Sequence, residues 1–159
     1  MTTDAYLRDH VIPAAYALLP EAMASPAATA LLMAIAYQES GCRSRVQFKG
    51  PARSFWQFER GGLSGVMGHR VTSPLLTDVL IALRYPRDVD ELYAAMAHQD
   101  VLAACCARLL LWTLPDALPQ AHEADRGWGL YVQAWRPGTP RPDAWARSFA
   151  DGWSMAPAA

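Results

Sequence analysis

A carboxylate at position 39 sits where local stability disfavours it. Positions 28, 32, 35 and 39 share one face of a helix, and they hold Ala28, Leu32, Ile35 and Glu39. Glu39 therefore continues a core-facing stripe, and burial of a carboxyl group disfavours its charged form. Gly41 suits the position just past a helix end, which puts Glu39 in the last turn, at the negative end of the helix dipole. One residue breaks two rules at once, and such conflicts concentrate at functional sites. The matching chemistry is cleavage of a glycosidic bond, which needs a carboxylic acid still protonated near neutral pH to donate to the leaving oxygen. Periodicity alone leaves an alternative, in which Glu39 swings to solvent or pairs with Arg43 at i+4.

The residues that follow narrow the choice. Ala36-Tyr37-Gln38-Glu39-Ser40-Gly41 is followed by Ala52-Arg53-Ser54-Phe55-Trp56-Gln57-Phe58. This pair of segments resembles the lytic-transglycosylase and goose-type lysozyme family. Members carry a helix ending in Glu-Ser and, a short loop later, a Gly-Leu-Met-Gln-like segment that lines a sugar cleft. Ser54 replaces the glycine of that segment, and Phe55 and Trp56 replace Leu-Met. The family's Ala-Tyr-Asn-Ala-Gly motif has no clean match, but the run from Trp128 to Gly138 lies in the right place and keeps Tyr131 and Pro137-Gly138. Trp135-Arg136-Pro137-Gly138 is also similar to small phage-encoded proteins of this kind. The resemblance rests on about a third of the chain.

The resemblance implies a lysozyme-like, all-α fold with at most a few short strands. It makes Glu39 the catalytic acid/base and Ser40, Ser54, Trp56, Gln57 and Tyr131 substrate-binding residues. The implied substrate is the bond between N-acetylmuramic acid and N-acetylglucosamine in peptidoglycan glycan strands, with no metal or organic cofactor. Lytic transglycosylases work with one glutamate, because the muramic-acid 6-hydroxyl attacks its own anomeric carbon. A hydrolase needs a second carboxylate, for which Glu59, Asp78, Asp88 and Glu91 are the candidates. Trp56, Trp128, Trp135, Trp145 and Trp153 are aromatic enough to stack on pyranose rings, although for any single tryptophan core packing is the better account.

Several elements must position these groups. Ser25-Pro26 is a helix start, an N-cap residue followed by proline at the first helical position. Ser73-Pro74 repeats that signal, and Asp88 with Glu91 resembles a capping box. A first helix follows Thr3 or Asp4, with a kink or break near Pro13. Residues 101–112 are apolar nearly all round and read as the buried central helix. Further helices are expected around residues 128–135 and 142–149. Residues 45–48 and 54–58 read as short extended pieces, and residues 60–72, with four glycines, read as a flexible connection.

The remaining composition bounds the function. The chain has 159 residues, enough for one domain, and 52% of them are hydrophobic, enough for a core. Net charge is −1 with no basic run, which argues against nucleic acid as the main partner. No apolar run reaches the roughly 20 residues of a membrane span. The N-terminal segment lacks the pattern of a signal peptide, so a wall-acting protein would need lysis, a holin-type pore or carriage in a virus particle. In the last case other particle proteins are partners. Cys42, Cys105 and Cys106 are an odd set with an adjacent pair, which suits small buried hydrophobes better than disulfides or a zinc site. Two rivals to the enzyme remain: a lysozyme-like structural or binding protein without chemistry, and a helical interaction module without a sugar site.

Overall fold

The computed structural model describes residues 1–158. The fold is all-α. Helix α1 (Thr3–Tyr6) runs through a π-helical turn (Leu7–Val11) into α2 (Ile12–Tyr16), and a short 3-10 turn (Glu21–Met23) leads to α3 (Pro26–Ser40). Then come α4 (Arg60–Gly68), α5 (Thr72–Leu83), α6 (Val89–Ala95), α7 (Asp100–Trp112), α8 (Ala124–Trp135) and α9 (Pro142–Met155). Of the kink or break expected near Pro13, no break occurs. Proline lacks the N–H that would close the turn, and the chain accommodates it with the π-helical turn just upstream rather than by ending the helix.

The helix boundaries follow their local signals. Ser25 Oγ accepts from the Ala28 N–H at 3.0 Å, and Gly41 closes α3 with φ +60°. Asp88 accepts from the N–H groups of Asp90 and Glu91, both at 3.0 Å, and so caps α6. Helix α8 starts four residues before the expected stretch, and α9 runs six residues past it.

Residues 60–72 correct the sequence reading. They are not a flexible connection: most of them form α4, whose Leu63 and Val66 are fully buried. Glycine disfavours a helix by about 1 kcal/mol each, and the burial of two apolar side chains one turn apart overrides it. Residues 54–58 are also not an extended piece. Among the described residues no strand forms; there are only the isolated antiparallel bridges Val46–Arg53 and Arg53–Phe58, with a tight turn between the latter two.

Two helices share the centre. Helix α7 is buried from Leu102 to Leu111, as its composition requires, but α3 is buried just as completely from Ala28 to Ala36. Helix α9 lies antiparallel along α3 and makes the most extensive helix pair in the molecule. Gly152 permits that closeness: a Cβ there would stand 2.4 Å from the Ala30 carbonyl oxygen and 2.7 Å from the Ala34 nitrogen. At the other end of the pair, Gln38 donates to the Arg141 carbonyl at 2.9 Å and accepts from Ser148 Oγ at 3.0 Å. The three cysteines are buried in the core, where burial pushes the Cys42 and Cys105 thiols up to about 12. No single helix among the described residues is long and apolar enough to cross a membrane.

Candidate active site

The segment between α3 and α4 is tied first to α7 and then to the end of α3. Arg45 makes a two-pronged contact with the buried Asp100, at 2.8 and 2.7 Å, which ties the segment to the start of α7. The chain then turns sharply at residues 53–58. Arg53 and Phe58 exchange backbone hydrogen bonds at 2.8 and 2.7 Å, and Gln57 N–H donates to the Ser54 carbonyl at 3.1 Å. Ser54 and Gln57 both adopt positive φ, +68° and +50°. The first of these is the position where the resembled segment has glycine, and the backbone here takes the left-handed conformation that glycine favours. Ser54 is fully buried, and its Oγ accepts from the Trp56 N–H at 3.2 Å.

Each side chain of this turn has a definite task. Ser40 Oγ donates to the Phe55 carbonyl at 2.8 Å, joining the last turn of α3 to the tight turn. Trp56 donates from its indole nitrogen to the Leu32 carbonyl at 2.9 Å and is fully buried. That corrects its expected part as a sugar-stacking residue, because no face of its ring is open. Trp135 lines the cleft instead, with its indole nitrogen donating to the Trp56 carbonyl at 2.8 Å. Ser40 and Ser54 likewise brace the site from behind rather than line it. Gln57 does line it. Its Nε2 donates to the Ser54 carbonyl at 2.6 Å, which occupies one end of the amide.

Glu39 meets Tyr131 in a cleft of about 840 Å³. The Tyr131 hydroxyl donates to Glu39 Oε1 at 2.5 Å. The Tyr131 ring is held by near-parallel stacking on Trp145, with centroids 5.1 Å apart and planes 11° apart, and Trp128 packs against both. Glu39 is half-buried, and burial raises its pKa above the usual carboxylate range. The Tyr131 hydrogen bond and the Arg141 charge pull it back, while the charge of Glu59 pushes it further up. Burial, and then the bond to Glu39, hold the Tyr131 phenol well above its ordinary value, so it remains a donor.

The sequence-derived candidates thus separate into two groups. Glu39, Gln57 and Tyr131 come together in one cleft. Ser40, Ser54 and Trp56 form the bracing behind it. Of the four candidate second acids, Glu59 lines the cleft, Asp88 is used as a helix cap, and Asp78 and Glu91 are exposed elsewhere. The Glu39–Arg43 pair is not formed; the arginine whose charge acts on Glu39 is Arg141. Gly61, Gly62, Gly65, His69 and Arg136 also line the cleft, although none is among the sequence-derived site residues. Only the glycine spacing at i and i+4 carried a signal for these, and it was legible only once the segment was known to be helical.

A smaller pocket, of about 510 Å³, lies between the N-terminal helical stretch and the end of α9. Its one carboxylate, Asp9, is closed off by Arg8. Compared with known proteins, the chain matches no family model, no curated protein and no solved structure.

Proposed function

We propose that this chain cleaves the glycosidic bond between N-acetylmuramic acid and N-acetylglucosamine in peptidoglycan, as a lysozyme-like enzyme of the lytic-transglycosylase type, with Glu39 as acid and base. The observation that carries the reading is the Glu39–Tyr131 pair in a cleft that Gln57 also lines. Burial raises the carboxyl pKa and so favours the protonated form, which is the state a general acid needs. Tyr131 occupies Oε1, so the proton sits on Oε2, the oxygen left for the substrate.

Glu39 Oε2–H donates its proton to the bridging oxygen, the bond from that oxygen to the muramoyl C1 breaks, and positive charge develops at C1. Tyr131 stabilises the carboxylate that results, because its hydroxyl already points at it. The carboxylate then accepts the proton of the muramoyl 6-hydroxyl as that oxygen bonds to C1, giving a 1,6-anhydro end and a regenerated acid. Gln57 offers its free Oε1 to a substrate N–H, such as that of an N-acetyl group.

A second reading is favoured by Glu59. This acid lines the same cleft, and its charge acts on Glu39. If it activates water, the products carry reducing ends instead. Mass spectrometry of digested cell wall separates the two, since an anhydro end is lighter by one water. The expected result is anhydro ends, lost in Glu39→Gln. Activity retained in that variant would end the assignment, and no product from the walls of several species would turn it toward a non-catalytic lysozyme-like protein.

A further inference from the structure

The cleft contains an arginine that the reaction above does not use. Arg136 follows α8 at φ +48°, a helix-terminating position where glycine is the favoured residue. Its side chain is exposed on the cleft rim formed by Arg136, Pro137, Gly138 and Thr139. The ion pairs among the described residues are Arg8–Asp9, Arg45–Asp100, Arg60–Asp90, Arg126–Glu123 and Arg147–Asp151, and Arg136 belongs to none of them. The other basic groups around the cleft are engaged. Arg141 donates to the Gln38 carbonyl, Arg60 is held by Asp90, and His69 Nδ1 accepts from the Val71 N–H at 3.3 Å. A guanidinium in a conformation that disfavours arginine, uncompensated and facing a ligand-sized cleft, is suited to a carboxylate brought by the ligand.

The same cleft has unfilled space along α4. Gly61 and Gly65 of α4 face the cleft, and a Cβ at either would meet nothing within 4 Å. No packing inside the protein demands glycine there, although each one weakens the helix.

We infer that Arg136 is a specificity residue that pairs with a carboxylate on the substituent of the muramoyl ring, so that the cleft selects acidic, substituted glycan strands over neutral ones. This rests on the glycan reading above and names the part of the substrate that the reaction centre leaves unread. The carboxylate has two sources, the lactyl group of the sugar and the peptide attached to it. Glu39 and Glu59 would repel an anion placed next to them, so the substituent belongs at the Arg136 rim.

The test compares the wild type with Arg136→Gly and Arg136→Lys on three probes: peptide-bearing strands, strands stripped of peptide by an amidase, and peptide-bearing strands whose carboxylates have been converted to amides. Arg136→Gly relaxes the positive φ, so its melting temperature should equal or exceed that of the wild type, and any loss of binding is not a loss of fold. Its KM on peptide-bearing strands should rise about tenfold or more with kcat nearly unchanged, and Arg136→Lys should recover part of that loss. The wild type should suffer the same rise on amidated strands, and Arg136→Gly should be indifferent to amidation. A loss that persists on stripped strands identifies the lactyl carboxylate, and one confined to peptide-bearing strands identifies the peptide. Equal KM for the wild type and Arg136→Gly, or the same loss on charged and amidated strands, overturns the inference while leaving the cleavage assignment intact. If no strand is cleaved, the cleavage assignment fails. Tryptophan fluorescence titration of the same probes then decides the inference, and binding that is unaffected by Arg136→Gly, or undetectable, overturns it.

Discussion

The Tyr131 hydroxyl donates its hydrogen to Glu39 Oε1 across 92 residues of chain. The bond works in one direction on the acid: it favours the carboxylate and so holds the pKa of Glu39 below what burial alone would set.

Tyr131→Phe should therefore raise the Glu39 pKa. A general acid is active while protonated, so the alkaline limb of the kcat profile should move to higher pH in the variant. The maximal rate should fall by about a hundredfold, since the carboxylate formed in the step loses a donor. A pH–rate profile on soluble wall fragments measures both. A limb that stays in place or moves to lower pH would show that the tyrosine does not act on the catalytic proton.

Glu39→Gln should have a higher Tm than the wild type at neutral pH. The folded pKa of Glu39 is raised, so the folded state binds its proton more tightly than the unfolded state does. The contribution of the protonated group is fully present below the unfolded value of about 4.3 and is lost as pH rises through the folded pKa. The stability gap between variant and wild type should thus close in acid and open toward neutrality. Thermal melts from pH 3 to 8 test this, and a gap that widens in acid would contradict it.

Ser54 is suited to a paired substitution. Ser54→Gly gives up the Oγ contact to Trp56 N–H but removes a side chain from φ +68°, whereas Ser54→Ala gives up the contact and keeps the strained conformation. The glycine variant should exceed the alanine variant by about 1 kcal/mol in unfolding free energy. Neither should alter KM, because Ser54 is fully buried behind the cleft. Urea unfolding and steady-state kinetics measure the two claims separately.

Glu59→Gln removes a negative charge that raises the Glu39 pKa, so its alkaline limb should move to lower pH, opposite to Tyr131→Phe. If the 6-hydroxyl is the nucleophile, the rate at the optimum stays within about tenfold, roughly 1.4 kcal/mol of barrier. A fall of a hundredfold or more, accompanied by reducing ends from the wild type, would identify Glu59 as a general base acting on water.

How much of this was legible beforehand depends on the range of the force involved. The start of α3 at Ser25-Pro26, its stop at Gly41 and the Asp88 cap of α6 are set by atoms within one helical turn, and the sequence announces them. The buried nature of residues 101–112 is also plain, because no solvent-facing helix can be apolar on every side. Glu39 is an acid against the grain of its surroundings, as its position on the apolar stripe implies, yet the stripe is only part of the cause. Helix α3 has no wet face between Ala28 and Ala36, so any residue continuing it is drawn toward burial.

Local patterns alone are thus enough for an all-helical chain with a carboxyl group displaced from water at the end of a core helix. Tertiary structure decided the rest. It made a helix of the glycine-rich residues 60–68 by burying Leu63 and Val66, and it buried Trp56 against the Leu32 carbonyl. It also brought Tyr131, Glu59 and Arg136 to the same cleft as Glu39. Helix caps and periodicity are local and can be read from neighbours, whereas these placements depend on how closely α3, α8 and α9 approach. That approach is set by contacts such as Gly152 on Ala30 and Gln38 on Ser148, between residues more than a hundred positions apart.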